Sequence, residues 1–161
     1  MVKSLISWTL STGIGDWVHY HTWMFPAGET LHFMGLSLLI GTAGIFDLRL
    51  LGIVKGLPFA PLYRLLRWGI AGFLINLLTG IMFWFVQPAL YAVDYDWVFA
   101  LKLLCVLLAG TNALVFRFTV FGEVMALGPG EDAPLMAKVI GGASLLFWFG
   151  VLWFGRMLMY T

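Results

Sequence analysis

The residues able to do chemistry are few and fall into three short stretches. In "GETLHFMG", Glu29 and His32 stand three apart, which on a helix makes their side chains neighbours. In "DWVHYHTW", Asp16 and His19 share the same spacing, with His21 two further on. In "FALKLLCV", Lys102 stands alone in an apolar run. Imidazoles, carboxylates and an ammonium in apolar surroundings suit ligation. A haem b held by two histidines would use His32 with His21 or His19. His21 lies about 200° round a helix from His19, on the side of Trp17, which makes it the better placed of the two. A copper or zinc ion would instead draw on Asp16, His19, Glu29 and His32. Both arrangements need the first 26 residues to fold back over the rest. Lys102 would complete a Glu29–Lys102–His32 cluster.

A second set reads as structural. Glu29 and Asp47 are eighteen residues apart, five helical turns, and so share a face about 27 Å long. Asp47 has Arg49 and Arg67 within reach as partners. Asn76, Thr79, Thr111 and Asn112 are isolated polar groups of the kind that bond across helices, and Arg117 marks the end of an apolar run. A di-iron carboxylate site is excluded, because no second Glu-x-x-His pair exists. Nucleophilic catalysis has no support, since neither Cys105 nor any serine has a base beside it.

The elements that must position these groups follow from composition. The chain has 161 residues, 61% hydrophobic and 11% charged, against about 45–50% apolar and about 25% charged in soluble domains. A net charge of +1 offers no basic face for nucleic acid. A bilayer core of about 30 Å needs about 20 apolar residues in a helix. Segments 27–54, 66–90, 97–119 and 138–160 qualify, with breakers at Pro58 and Pro61, at Pro88 and Asp94, and at Gly128-Pro129-Gly130 with Pro134. The expected fold is all-α: a four-helix membrane bundle over residues 27–161, preceded by an amphipathic arm over 1–26. In that arm Leu5, Ile6, Leu10, Ile14, Trp17, Val18 and His21 form one apolar stripe suited to the membrane interface. Gly13 and Gly15 are its candidate break points, and Pro26 marks the entry to the first span. Ser37, Gly41 and Gly44, then Gly69, Gly72 and Asn76, then Gly141 and Gly142, are small or notched positions expected where helices touch.

Positive residues set the orientation. Arg49, Lys55, Arg64 and Arg67 crowd the link between spans one and two, and Arg117 and Lys138 flank the link between three and four. That side is expected to be cytoplasmic, placing the arm on the periplasmic face of a bacterial inner membrane.

The stretches "ETLHFMGLSLLIGTAGIFDLRLLG", "LLRWGIAGFLINLLTG" and "LKLLCVLLAGTNALVFR" resemble a widespread family of small four-span bacterial membrane proteins with no assigned function, distantly similar in layout to copper-resistance membrane proteins of the CopD type. The resemblance covers roughly residues 25–120. It implies four spans and points to Glu29, His32, Asp47, Arg49, Arg67, Thr79, Gly80, Lys102 and Asn112. Relatives often carry a histidine where this chain has Arg117, which moves any second haem ligand here towards the arm.

The first functional expectation is therefore a membrane electron-transfer protein or redox-complex subunit binding one haem b through His32, with no enzymatic activity expected of it alone. The second is a non-catalytic interaction subunit packing against other membrane proteins or copies of itself. Metal handling at the outer face and pigment binding follow.

Overall fold

The computed structural model describes residues 2–87, 96–158 and 160, and every regular element among them is helical. The expected breakers Pro88 and Asp94 lie outside the described residues. The helices are α1 (Val2–Ser11), α2 (Ile14–Tyr20), α3 (Met24–Leu50), α4 (Phe59–Val86), α5 (Asp96–Thr119), α6 (Phe121–Ala126) and α7 (Leu135–Met157). Four of them, α3, α4, α5 and α7, are long and apolar enough to cross a membrane, because such a chain can satisfy its backbone in lipid only by hydrogen-bonding within each helix.

The third span runs 97–119 as expected, while the first two start earlier than expected for one physical reason. Pro26 and Pro61 are not boundaries but the third residues of α3 and α4. The first turn of a helix has no intrahelical use for its N–H groups, so a proline there removes nothing. The first span therefore runs 24–50 and the second 59–86, instead of 27–54 and 66–90. The fourth runs 135–157, entered from Pro134, and α6 is a short helix that no hydropathy run announces.

Antiparallel α3 and α4 pack along each other, as do α5 and α7, and α3 joins the two pairs through α7. The most extensive contacts run in the order α4–α3–α7–α5. We call the end bearing the arm and the start of α3 the terminal end, and the other the loop end. The α3–α4 crossing is made by Gly35 against Gly72 and by Gly69 against Thr42. A Cβ on Gly72 would collide with the Gly35 carbonyl, and one on Gly69 would lie 2.5 Å from Thr42 Oγ1. Gly141 brings α7 onto α3 in the same way, 3.1 Å from the Asp47 carbonyl. The expected strip of Ser37, Gly41 and Gly44 plays no such part. Ser37 and Gly41 are exposed, and Gly41 and Gly44 have open space over them.

The buried core sits at the loop end: Phe46, Leu50, Phe59, Leu62, Phe116, Val120, Val124, Ala133, Ala137 and Ile140. Phe116 meets Phe46 edge-on at 5.4 Å between ring centroids, and Phe121 meets Tyr63 at 5.0 Å, tying α5 and α6 to α3 and α4. At the terminal end α4 meets α5 through Trp84 and Phe99, 6.0 Å apart.

The arm breaks at Gly13, whose φ of +68° is left-handed and suits glycine. That break divides the arm into α1 and α2 at the first of its two expected break points. Thr9 and Val18 face inward, while Leu10, Ile14 and Trp17 are exposed. The Trp84 indole N–H donates to Thr9 Oγ1 at 3.1 Å. Gly15 lets α2 approach the end of α4, where a Cβ would lie 2.5 Å from the Phe85 carbonyl oxygen. The arm is thus docked on α4, presenting Trp8, Trp17, Tyr20 and Trp23 outward, residues whose rings suit a membrane interface.

Candidate functional site

His32 lies eight residues into α3, about 12 Å along its axis, and faces α4. Its Nδ1 is 2.7 Å from Thr79 Oγ1. The Thr79 hydroxyl has one proton, and the Ile75 carbonyl, 2.7 Å away, can only accept it. With that proton committed to its own helix, Thr79 Oγ1 accepts from His32 Nδ1–H. The network assigns the imidazole tautomer: Nδ1 carries the proton and Nε2 keeps its lone pair. The Phe83 ring flanks the imidazole at 5.4 Å. This is the arrangement in which a histidine serves as a nitrogen ligand, one nitrogen anchored and the other offered.

Lys102 lies six residues into α5, about 9 Å along its axis, at a depth similar to that of His32. Its stem rests on α7 at Gly155, where a Cβ would lie 3.6 Å from Nζ. The ion pairs among the described residues are Lys55–Asp132 and Lys138–Asp132, both at the loop end. Lys102 and Glu29 therefore form no ion pair, and the expected Glu29–Lys102–His32 cluster is not held together by any ion pair or hydrogen bond among the described residues.

The arm histidines do not join His32. His21 Nδ1 lies 2.9 Å from the Trp17 carbonyl, and its ring packs on Trp17 at 4.7 Å and Tyr20 at 5.3 Å. The same carbonyl also accepts the His21 backbone N–H at 3.3 Å, so ring and backbone of His21 together close the end of α2. His19 and Asp16 are exposed. Among the described residues no three His, Cys, Asp or Glu side chains gather in a metal-holding group, so the expected set of Asp16, His19, Glu29 and His32 is not assembled. Cys105 packs at the α5–α7 crossing, where Gly150 makes room for its sulfur.

The structural polar residues take partners that the sequence did not single out. Asp47 is 5% exposed and forms no ion pair with Arg49 or Arg67, and its Oδ2 is buried without a hydrogen-bond partner among the described residues. Two residues along a helix is about 200° of rotation, so Asp47 and Arg49 point apart. Arg49 is completely buried. Its Nε donates to the Leu57 carbonyl at 2.7 Å, and Nη2 donates to those of Gly128 and Glu131 at 3.2 and 3.1 Å. Its guanidinium stacks on Phe59 at 4.1 Å. It thereby ties the loop 51–58 to the loop 127–134. Asp132, bridged by Lys138 at 2.8 Å and Lys55 at 3.2 Å, joins the same loops from outside. Hydrogen bonds from those two lysines hold its carboxyl below the usual range. Asn112 Nδ2 donates across to the Ile140 carbonyl of α7 at 2.9 Å, while Asn76 Nδ2 donates to Gly72 within α4 at 3.0 Å. Arg117 is exposed and lies over the Phe121 ring at 4.4 Å. Arg67 is exposed.

The fold and these polar contacts define a multi-pass membrane protein with one anchored imidazole near one end of its spans. Comparison with known proteins finds no matching family model, no matching curated protein and no matching solved structure.

Proposed function

We propose that this chain is a subunit of a membrane electron-transfer complex, and that His32 supplies one axial ligand to a haem b near the terminal end of the bundle. The observation that carries this reading is the Thr79 bond, which anchors Nδ1 and leaves His32 Nε2 with a free lone pair. His21, whose Nδ1 is likewise held by a carbonyl, and the exposed His19 lie in the arm outside the spans, so a second ligand would come from the arm or from a partner subunit. The bundle is built accordingly, with only 11–22% of each apolar window buried within the chain. The rest faces lipid or neighbouring helices. The same openness favours a second reading, a purely structural subunit with no cofactor.

The positive residues at the loop end orient the chain with that end in the cytoplasm of a bacterium. The arm and the His32 site then face the periplasm across the inner membrane. A reduced-minus-oxidised absorbance spectrum of protein extracted in mild detergent separates the two readings. The haem reading predicts a Soret shift with α and β bands. A colourless protein that co-purifies with partner subunits overturns it in favour of the structural reading.

A further inference from the structure

Helices α4 and α5 carry matching stripes. On α4 one face runs from Tyr63 through Arg67, Ile70, Leu74 and Leu77 to Trp84, at helical spacing. On α5 one face runs from Phe99 through Leu103, Leu107 and Leu114 to Arg117. The two stripes are joined at both ends. At the loop end the Phe121 ring stands 5.0 Å from Tyr63 and 4.4 Å beneath the Arg117 guanidinium. At the terminal end Trp84 meets Phe99 at 6.0 Å. Between those closures α4 and α5 do not pack along each other. Ile70, Leu74, Leu107 and Leu114 are each more than half exposed, and a Cβ on Gly110, on the same α5 face, would meet nothing within 4 Å. The stripes therefore wall an apolar slot that opens sideways to lipid.

Arg67 and Arg117 flank the Tyr63–Phe121 contact at the loop-end mouth of this slot. Both are exposed, and neither forms an ion pair among the described residues. The acids of the loop end all lie among those residues. Asp132 is taken by Lys55 and Lys138, the Glu131 carboxylate accepts the Gly128 N–H at 2.7 Å, Asp47 is buried, and Glu123 pairs with neither arginine. Leu77 is ten residues from Arg67 and Leu107 ten from Arg117, about 15 Å along each helix. Half of a bilayer core is also about 15 Å. The slot thus offers two cations at one mouth and apolar walls for the depth of one leaflet. An acyl chain enters it sideways, whereas a crossing helix, about 10 Å wide, is held off by the ring contacts at both ends.

We infer that this slot holds an anionic phospholipid of the loop-end leaflet, its phosphate bridged by Arg67 and Arg117 and an acyl chain lying between the leucines of α4 and α5. Guanidinium forks match phosphate oxygens in charge and shape, and basic positions between spans are where anionic headgroups bind. The site stands apart from His32, which faces the α3–α4 seam, and does not depend on a cofactor there.

The test titrates the full chain, delipidated in mild detergent, with phosphatidylglycerol, with phosphatidylcholine and with inorganic phosphate, reading bound mass by native mass spectrometry. The wild type should take up one phosphatidylglycerol in preference to phosphatidylcholine, whose headgroup has no net charge. Arg67→Gln combined with Arg117→Gln is expected to weaken phosphatidylglycerol binding on the order of twentyfold, about fivefold for each arginine. Arg64→Gln removes a cation of the same end that lies about 100° round α4 from Tyr63, and should leave the affinity unchanged. Gly110→Phe fills the slot without altering charge and should lower it. Equal affinity for the two lipids, undiminished binding in the double variant, or the same loss in Arg64→Gln overturns the inference. So does inorganic phosphate binding as tightly as the lipid, which would mark a site for the free anion. Crosslinking of a photoreactive side chain at position 107 to another polypeptide in the membrane also overturns it, by making a protein helix the occupant.

Discussion

Thr79 on α4 accepts a hydrogen bond from His32 on α3 while giving its own proton to the Ile75 carbonyl, so one hydroxyl sets the tautomer of an imidazole on the neighbouring helix. Thr79→Val keeps the shape and removes the acceptor. The His32 N–H is then left unpaired in a half-buried site, at a cost of about 1–3 kcal/mol. Thermal unfolding in detergent should show a lowered midpoint. Thr79→Ser, which keeps the hydroxyl, should lose less.

Arg49 makes a contrasting prediction at the loop end. Arg49→Leu strands three carbonyls, those of Leu57, Gly128 and Glu131, and unties the two loops. The loss should be several kcal/mol, about 3–5 as for a broken buried charge network. Limited proteolysis should open the segment 127–134 first. Arg49→Lys should not rescue it, because an ammonium cannot span the same fork of acceptors.

Glycines separate contact from open surface. Gly72→Ala must push α3 and α4 apart, since its Cβ collides with the Gly35 carbonyl and lies 2.9 Å from the Leu39 amide nitrogen. The expected penalty is about 1–3 kcal/mol. Gly41→Ala meets nothing within 4 Å and should be neutral or slightly stabilising through helix propensity. Paired thermal melts check both.

Asp132 gives the clamp a pH dependence. Its carboxyl is lower in the folded chain than in the unfolded one, held down by hydrogen bonds from Lys138 and then Lys55. Its contribution is therefore present above the ordinary aspartate range, near 4, and is lost as pH falls through the lower folded value. Melts at falling pH should show wild type converging on Asp132→Asn below about pH 4, with the two differing most at neutral pH. A constant difference across that range contradicts the assignment.

The membrane spans were legible because a run of about twenty apolar residues has few other uses. The starts of the first two were not, because Pro26 and Pro61 look like breakers yet sit in first turns, where they cost nothing. His32 stood out by residue type and by its spacing from Glu29. Its actual partner is distant in sequence and becomes adjacent only through the α3–α4 crossing that Gly35 and Gly72 permit. Asp47 was expected to pair with a cation, and helical rotation aims Arg49 elsewhere. Arg49 itself binds backbone carbonyls, which leave no mark in a sequence. The arm's break was legible in its two glycines, of which Gly13 takes the left-handed φ.

The most direct test of the central claim is chemical rescue at His32. In His32→Gly the account predicts loss of the Soret band and of the reducible α and β bands, with partial return when free imidazole is added. His19→Ala and His21→Ala should keep the wild-type spectrum. Full haem content in His32→Gly without imidazole, or a wild-type protein with no Soret band at all, would contradict the account.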